Sequence, residues 1–520
     1  MSTSPFYRLA ASCVMPNVSE DKYSVDADYR ENIHRLVEAG VAGFCVFQGK
    51  LEETASMITT LQRIANGNLL MSADYEYGLP MRLEGGTAFP QAMALGRAND
   101  TAITRKIAQA IAREARGIGI HWNFAPVCDV NSNPKNPIIN IRSFGESPEA
   151  IIPHIVAMIE GMQSEGVIAC AKHFPGHGDT AIDSHLALPT LEYSLDRLEQ
   201  TELAPFRAAI GGGVRSVMVA HLSAPILAQA GNEFTEVDSR FQFDGNLPAS
   251  LSRAITTGFL KNKLGFRGLT VTDALEMQSI TKQYSSGEAA IRAMDAGSDV
   301  VLIPEKPWEA IESLARKAEA NPAFAERLRQ AAERIDEAKQ WCKNTSVTLE
   351  SKPISLEEHG TLALQAAKKA VRIENGNTIL PLSQYETFAA FAVMQDENIQ
   401  PGAEFFHYLA QVVESDCDFG FLDANISDED ATALAEQTAD AEIIVVALFM
   451  RAKSHHGTVD VPSHLNHALS LIADGRKIIA VLLGNPYLRD SITANCYVST
   501  YSDSTPAIGA AALALGGKLS

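Results

Sequence analysis

The sequence predicts an α/β protein in two parts. A (β/α)8 barrel is expected over residues 1–345 and a smaller three-layer α/β/α sandwich over residues 386–520, joined by a helical linker over 346–385. Three observations predict this. Short, near-continuous apolar runs alternate with amphipathic segments from residue 7 to about 304, as parallel strands buried on both faces require. Polar residues stand at the ends of several of those runs, where a barrel gathers its chemistry on one rim. The alternation then resumes past residue 385.

The eight runs of the first part are Tyr7–Met15, Val41–Phe47, Leu69–Tyr75, Gly119–Val127, Val167–His173, Ser216–Leu222, Gly268–Thr272 and Ser298–Ile303. Helices are expected between them over Ala102–Ala115, Ala150–Ser164, Leu195–Ala209 and Gly287–Ala296. A doubly wound open sheet is the alternative architecture, because it shares the same alternation. Ser313 to Trp341 reads as a charged helix, and Leu356–Val371 as a further one before the turn at Glu374–Asn377. In the second part, strands are expected at Phe388–Met394, Asp418–Leu422, Glu442–Phe449, Lys477–Leu483 and Cys496–Tyr501. Helices around Ala403–Val413, Asp428–Thr438, Ser463–Ala473 and Pro506–Leu515 separate them. No Gly-x-Gly-x-x-Gly follows the first of these strands, so no dinucleotide site is expected there. His455 and His456 read as part of a solvated loop.

Composition narrows the class. The chain has 520 residues, 46% hydrophobic and 20% charged, as in ordinary globular proteins. With 43 basic against 63 acidic residues the net charge is −20 and no basic cluster occurs, which argues against nucleic acid and anionic membrane as partners. Seven cysteines are scattered without a Cys-x-x-Cys, the usage of a reducing compartment. Met1 to Asn17 lacks a charged n-region and an unbroken apolar stretch, so no signal peptide is expected, and no run approaches the roughly 18 apolar residues of a membrane span. A soluble, cytoplasmic protein is the expectation; the oligomeric state is not legible.

The chemistry concentrates between Lys172 and His185, which hold one Lys, three His and two Asp directly after the apolar run Gly166–Ala171. Pro175, Gly176 and Gly178 shape a loop there. Asp183 and His185, two apart, allow a carboxylate to accept from one imidazole nitrogen while the other faces a substrate, as general acid–base work requires. Asp74 and Glu76, His173, His221 and Asp273 end or follow four of the predicted strands, which points to a site on the rim.

The stretch Lys172-His173-Phe174-Pro175-Gly176-His177-Gly178 with Asp183-Ser184-His185 resembles the signature of family 3 glycoside hydrolases of the β-N-acetylhexosaminidase type. Asp74-Tyr75-Glu76-Tyr77-Gly78 with Arg82, Phe124–Val130 with Arg142–Gly145, and Gly268–Met277 resemble three further motifs of that family, in order. The likeness covers about residues 5–345; the rest resembles the sandwich that follows the barrel in longer members, at Ile379–Leu382 and Gly484–Tyr487. Family members more often read Asp-x-Glu-Gly-Gly at the third strand, whereas here Tyr77 precedes Gly78 and the Gly85-Gly86 pair comes later. The chain stops at Ser520, where longer members add a last edge strand.

The resemblance implies a retaining hydrolase that releases β-linked N-acetylglucosamine, typically during recycling of cell-wall peptidoglycan fragments, with no cofactor and no metal. Asp273 would be the nucleophile, and His185, oriented by Asp183, the acid and base. Asp74, Arg82, Arg142, Lys172 and His173 would bind the sugar, with His221 and Met277 lining its pocket. A His in the acid–base role also leaves phosphate open as acceptor, which would make the enzyme a glycoside phosphorylase. Two other classes compete. His173, His177, Asp179, Asp183 and His185 have the residue types of a metallohydrolase, but Lys172 beside them would repel a cation and Asp273 would have no role. A non-catalytic sugar-binding protein would be favoured by loss of Asp273 or of the Asp183–His185 pair, and both are present.

Overall fold

The computed structural model describes residues 4–180, 188–235, 246–348, 354–395, 397–414, 416–423, 425–451 and 461–519. The chain forms two compact units. One comprises Met1–Thr87, Thr104–Asn133 and Glu146–Leu356, the other Ala88–Ile103, Pro134–Gly145 and Glu357–Ser520.

In the first unit seven strands lie side by side, all parallel. Their order is Leu269–Thr272, Ser216–Val219, Ile168–Phe174, Trp122–Asn123, Ser72–Ala73, Cys45–Val46 and Asn17–Val18. Val14–Met15 pairs in parallel with Val301–Leu302, and an isolated parallel bridge joins Val271 to Val300. Parallel neighbours need crossovers, and helices supply them. Alternate strand residues feed one apolar cluster: Met15, Cys45, Trp122, Ile168, Cys170, Met218, Leu269, Val271 and Leu302, with Ile335 and Cys342 from the helix Pro322–Thr348. Several helices start where a side chain caps them, as Asp26 does for Ala27–Ala39, Ser147 for Pro148–Ser164 and Ser285 for Ser286–Ala296.

Asp299, just before the last of these strands, ties sheet to helices. Its fully buried carboxylate accepts from Lys261 Nζ at 3.2 Å, Arg327 Nη2 at 2.8 Å, Arg334 Nη1 at 3.1 Å and the Thr270 N–H at 3.0 Å. Burial opposes its ionisation, but the three cations outweigh burial and hold the carboxyl below the usual range. Burial in turn pushes Lys261 down to about 8.

Some elements differ from the sequence reading. Tyr7–Met15 is not one strand: Tyr7–Ala11 is helical and only Val14–Met15 is extended. Leu and Ala favour a helix, and an apolar run this short has no periodicity that separates the two states. Leu195–Ala209 divides into Leu195–Gln200 and Ala204–Gly211, the second opening with Pro205, which suits a first turn and not an interior. Ser313–Trp341 is likewise two helices, Pro307–Ala320 and Pro322–Thr348, broken at Asn321-Pro322.

The second unit is a six-stranded sheet in the order Arg372–Glu374, Cys496–Ser499, Lys477–Gly484, Ile443–Met450, Thr387–Met394 and Asp416–Leu422. Only Arg372–Glu374 is antiparallel to its neighbour; the sequence reading places a turn starting at Glu374 and no strand before it. Period-two alternation sends Phe388, Ala390 and Val445 to one apolar layer and Ala389, Phe391 and Val446 to the other. Helix residues such as Phe405 and Ile508 cover the first layer, and Ala431 and Leu469 the second, giving three layers. The segments Ala88–Ile103 and Pro134–Gly145 belong here through contacts that no local pattern reveals. Gln91 Nε2 donates to Asp503 Oδ1 at 2.6 Å, and Asn140 Nδ2 to Asn485 Oδ1 at 3.3 Å.

Candidate active site

Because the strands of the first unit are parallel neighbours, their C-terminal ends lie along one edge of the sheet. Ser72–Ala73 runs out into Asp74, Tyr75 and Glu76. The Asn123 side chain fixes that end, accepting from the Tyr75 N–H at 2.9 Å and donating to the Tyr75 carbonyl at 3.1 Å. Gly78, at φ 109°, turns the chain back in a conformation a side chain disfavours. Arg82 follows, its guanidinium 4.7 Å above the Phe47 ring.

Lys172 is the hub. Its ammonium is almost wholly buried, 2.7 Å from Asp74 Oδ1 and 2.8 Å from Glu76 Oε1. Asp74 Oδ2 accepts from Arg82 Nη2 at 2.9 Å. Burial of Asp74 opposes its charge, yet Lys172 and then Arg82 more than compensate and hold the carboxyl at about 2. The ladder between Ile168–Phe174 and Ser216–Val219 shifts register between Ala171 and Phe174, so Lys172 and His173 sit at an irregularity of the kind that re-aims side chains. The Lys172–His173 and Phe174–Pro175 peptide bonds are cis.

A second cluster gathers on Asp129. Its fully buried carboxylate receives His173 Nδ1 at 2.7 Å, the His173 N–H at 3.3 Å and the His177 N–H at 2.6 Å. Burial opposes ionisation here too, but His173 and His177 together outweigh it, so Asp129 is held below the usual range. Burial pushes His177 down to about 4, with the Asp129 and Asp273 carboxylates opposing only in part. Thr180 Oγ1 lies 2.6 Å from His177 Nδ1. Gly178 is required by contact: a Cβ there would meet the Val130 carbonyl at 1.7 Å. Beyond it, Arg197 Nη1 binds both oxygens of Glu202 at 2.8 Å and Nη2 stands 3.6 Å from Asp179.

Asp273 follows Leu269–Thr272. Its N–H donates to the Val219 carbonyl at 2.9 Å, and its Oδ1 accepts from the Ala274 N–H at 2.8 Å. His221, expected to line the sugar pocket, is fully buried with Nδ1 2.7 Å from Ser250 Oγ and Nε2 2.9 Å from the Ala274 carbonyl. Met277 is buried and donates its N–H to the same carbonyl at 3.2 Å. Arg142 falls in the second compact unit, where Nη1 donates to the Ile138 carbonyl at 3.2 Å. Asp183 and His185, like His455 and His456, lie outside the described residues.

The structure thus brings Asp74, Arg82 and Lys172 into one network and His173 into another. Glu76, read as a rim residue beside Asp74, joins the first network through Lys172, whereas Asp129, inside a quoted motif, was not singled out as a site residue. The signal was a carboxylate shortly after an apolar run; its partner 44 residues away was not visible. Among the described residues no group of three or more His, Cys, Asp or Glu is arranged to hold a metal ion. None of the described helices is long and apolar enough to cross a membrane.

Comparison with known proteins gives these motifs a family. Residues 14–338 match the glycosyl hydrolase family 3 N-terminal domain. The chain belongs to glycosyl hydrolase family 3. Beta-hexosaminidase A of Pseudoalteromonas piscicida is 32% identical over 368 residues, 66% of this chain and 60% of that protein. The match therefore spans less than two thirds of that family member. A beta-hexosaminidase of Neisseria meningitidis serogroup C is 30% identical over 322 residues, 59% of this chain and 84% of its own length. The solved structure of a glycoside hydrolase family 3 beta-N-acetylglucosaminidase from Paenibacillus sp. str. FPU-7 aligns with a TM-score of 0.83 at 29% identity, over 100% of this chain and 97% of that one.

Proposed function

We propose that this family 3 member is a retaining glycosidase that releases β-linked N-acetylglucosamine from cell-wall (muropeptide) or chitin-type fragments. The observation that carries the reading is the position of Asp273 at the end of Leu269–Thr272, on the sheet edge that also bears the Asp74–Lys172–Glu76 network. The hexosaminidase and N-acetylglucosaminidase relatives support the substrate class.

Asp74 and Glu76 accept from sugar hydroxyls while Lys172, Arg82 and His173 donate, replacing the water those hydroxyls lose. Asp273 attacks the anomeric carbon. The bond to the aglycone oxygen breaks with its electron pair on that oxygen, which takes a proton from His185. Water then attacks the glycosyl-Asp273 ester, His185 takes its proton, and the sugar leaves with its β configuration retained. Imidazole suits both steps because its ordinary pKa, about 6.5, lies near working pH, and Asp183 orients the ring and favours its charged form.

We further read the parallel strands of the first unit as a closed (β/α)8 barrel over residues 1–345, followed by a linker and the sandwich from 386. Val14–Met15 and Asn17–Val18 would be halves of its first strand on either side of Pro16, since each pairs with a different neighbour. Seven cysteines, none in a disulfide and six of them buried, support a reducing, cytoplasmic setting suited to recycling of cell-wall fragments.

Chromogenic β-N-acetylglucosaminide and β-glucoside, each with and without phosphate, test the reading. Turnover of the N-acetylglucosaminide without phosphate supports it. Turnover that needs phosphate and yields the sugar 1-phosphate makes the enzyme a phosphorylase, and preference for the glucoside overturns the substrate class.

A further inference from the structure

His221 and Ser250 are both fully buried. Ser250 lies in the turn Ala249–Leu251 and donates its N–H to the Ala220 carbonyl at 3.2 Å, which sets it beside the end of Ser216–Val219. Its hydroxyl is 2.7 Å from His221 Nδ1, and His221 Nε2 is 2.9 Å from the Ala274 carbonyl. A carbonyl can only accept, so Nε2 carries the hydrogen. The Ser250 hydroxyl, able to donate or accept, partners Nδ1, so both ring nitrogens have a hydrogen-bond partner. The chain continues through Ala274. Its carbonyl is held by His221 and by the Met277 N–H at 3.2 Å, while its own N–H holds Asp273 Oδ1 at 2.8 Å.

We propose that His221 and Ser250 are positioning residues for the nucleophile. They fix the backbone of Ala274, whose N–H holds Oδ1 of Asp273 and so sets the plane of its carboxylate. This rests on the reading of Asp273 as nucleophile. A carboxylate turns freely about its last bond unless one oxygen is tethered, and a displacement of about 1 Å at a reacting atom can cost about 10²-fold in rate. The buried ring thus works on the chemical step and leaves ground-state sugar binding alone.

The test separates those two quantities. Wild type, His221→Ala, His221→Gln and Ser250→Ala are inactivated with a 5-fluoro-N-acetylglucosaminyl fluoride, giving a maximal trapping rate and an inhibitor affinity for each. Calorimetry with N-acetylglucosamine measures ground-state binding. The trapping rate of His221→Ala should fall about 10²-fold, with both affinities within about twofold of wild type. Gln presents an amide N–H near the place of Nε2, so His221→Gln should recover most of the rate; Ser250→Ala should fall between. The Gln and Ser250 variants also serve if His221→Ala does not fold. An unchanged trapping rate overturns the proposal. A loss that appears in the affinities instead makes His221 a sugar contact and overturns it too. A wild-type label on a carboxylate other than Asp273 is a separate failure, that of the nucleophile reading itself.

Discussion

Lys172 Nζ lies 2.7 Å from Asp74 Oδ1, joining two strand ends 98 residues apart in the chain. This pairing, with Arg82 on the other oxygen, holds the Asp74 carboxyl at about 2. A carboxyl whose folded value lies below its unfolded value of about 3.9 adds stability above that unfolded value and loses it as pH falls towards the folded one. The contribution is about 2 kcal/mol. Urea midpoints of wild type and Asp74→Asn should therefore differ by a constant amount above about pH 5, with the gap changing between about pH 4 and pH 2. A gap independent of pH across that window contradicts the pairing.

Asp129 receives two N–H groups and an imidazole in a fully buried position. Removing it leaves those donors buried and unpaired. Asp129→Ala should cost about 3 kcal/mol or more, read as a lower denaturation midpoint together with lost activity, because the Lys172–His177 segment loses its anchor. A variant as stable as wild type would mean that the segment is held elsewhere.

Asp299 is the contrasting case, since its partners serve the scaffold. Asp299→Ala leaves Lys261, Arg327 and Arg334 around a buried gap and should lower stability by about 3–5 kcal/mol. At a temperature where the variant remains folded, KM should stay near that of wild type. A selective rise in KM with full stability would give this cluster a part in binding.

The Asp183–His185 pair calls for a test of chemistry rather than geometry. A general acid matters most when the leaving group is poor, so His185→Ala should cost less on an aryl glycoside than on a natural disaccharide. Loss of the base should let glycosyl-enzyme accumulate and lower KM, and azide, which needs no base, should restore turnover. Asp183→Ala should show the same pattern in milder form. Equal losses on both substrates without azide rescue, and with a lower melting temperature, would make the pair a loop brace.

Much of this was legible in the sequence, for reasons that particular residues show. Asp74, His173, His221 and Asp273 stand at the ends of apolar runs, and a parallel sheet converts that into a common edge. Ser463–Ala473 matches its expected span because its apolar positions recur at helical spacing. What local pattern cannot carry is partnership at a distance. Asp129 looked like one more polar residue past a strand until His173 and His177 were folded onto it. Ala88–Ile103 and Pro134–Gly145 carry no sign that they cluster with residues beyond 356. The partners of His221, the Ser250 hydroxyl and the Ala274 carbonyl, lie 29 and 53 residues along the chain, beyond any local pattern.

The central claim is a covalent bond between the sugar and Asp273. Wild-type protein incubated with a 5-fluoro-N-acetylglucosaminyl fluoride, digested and sequenced by mass spectrometry, tests it most directly. The account predicts one sugar per chain, attached at Asp273 and absent in Asp273→Asn. A label on any other carboxylate, or full turnover of the N-acetylglucosaminide by Asp273→Asn, would contradict it.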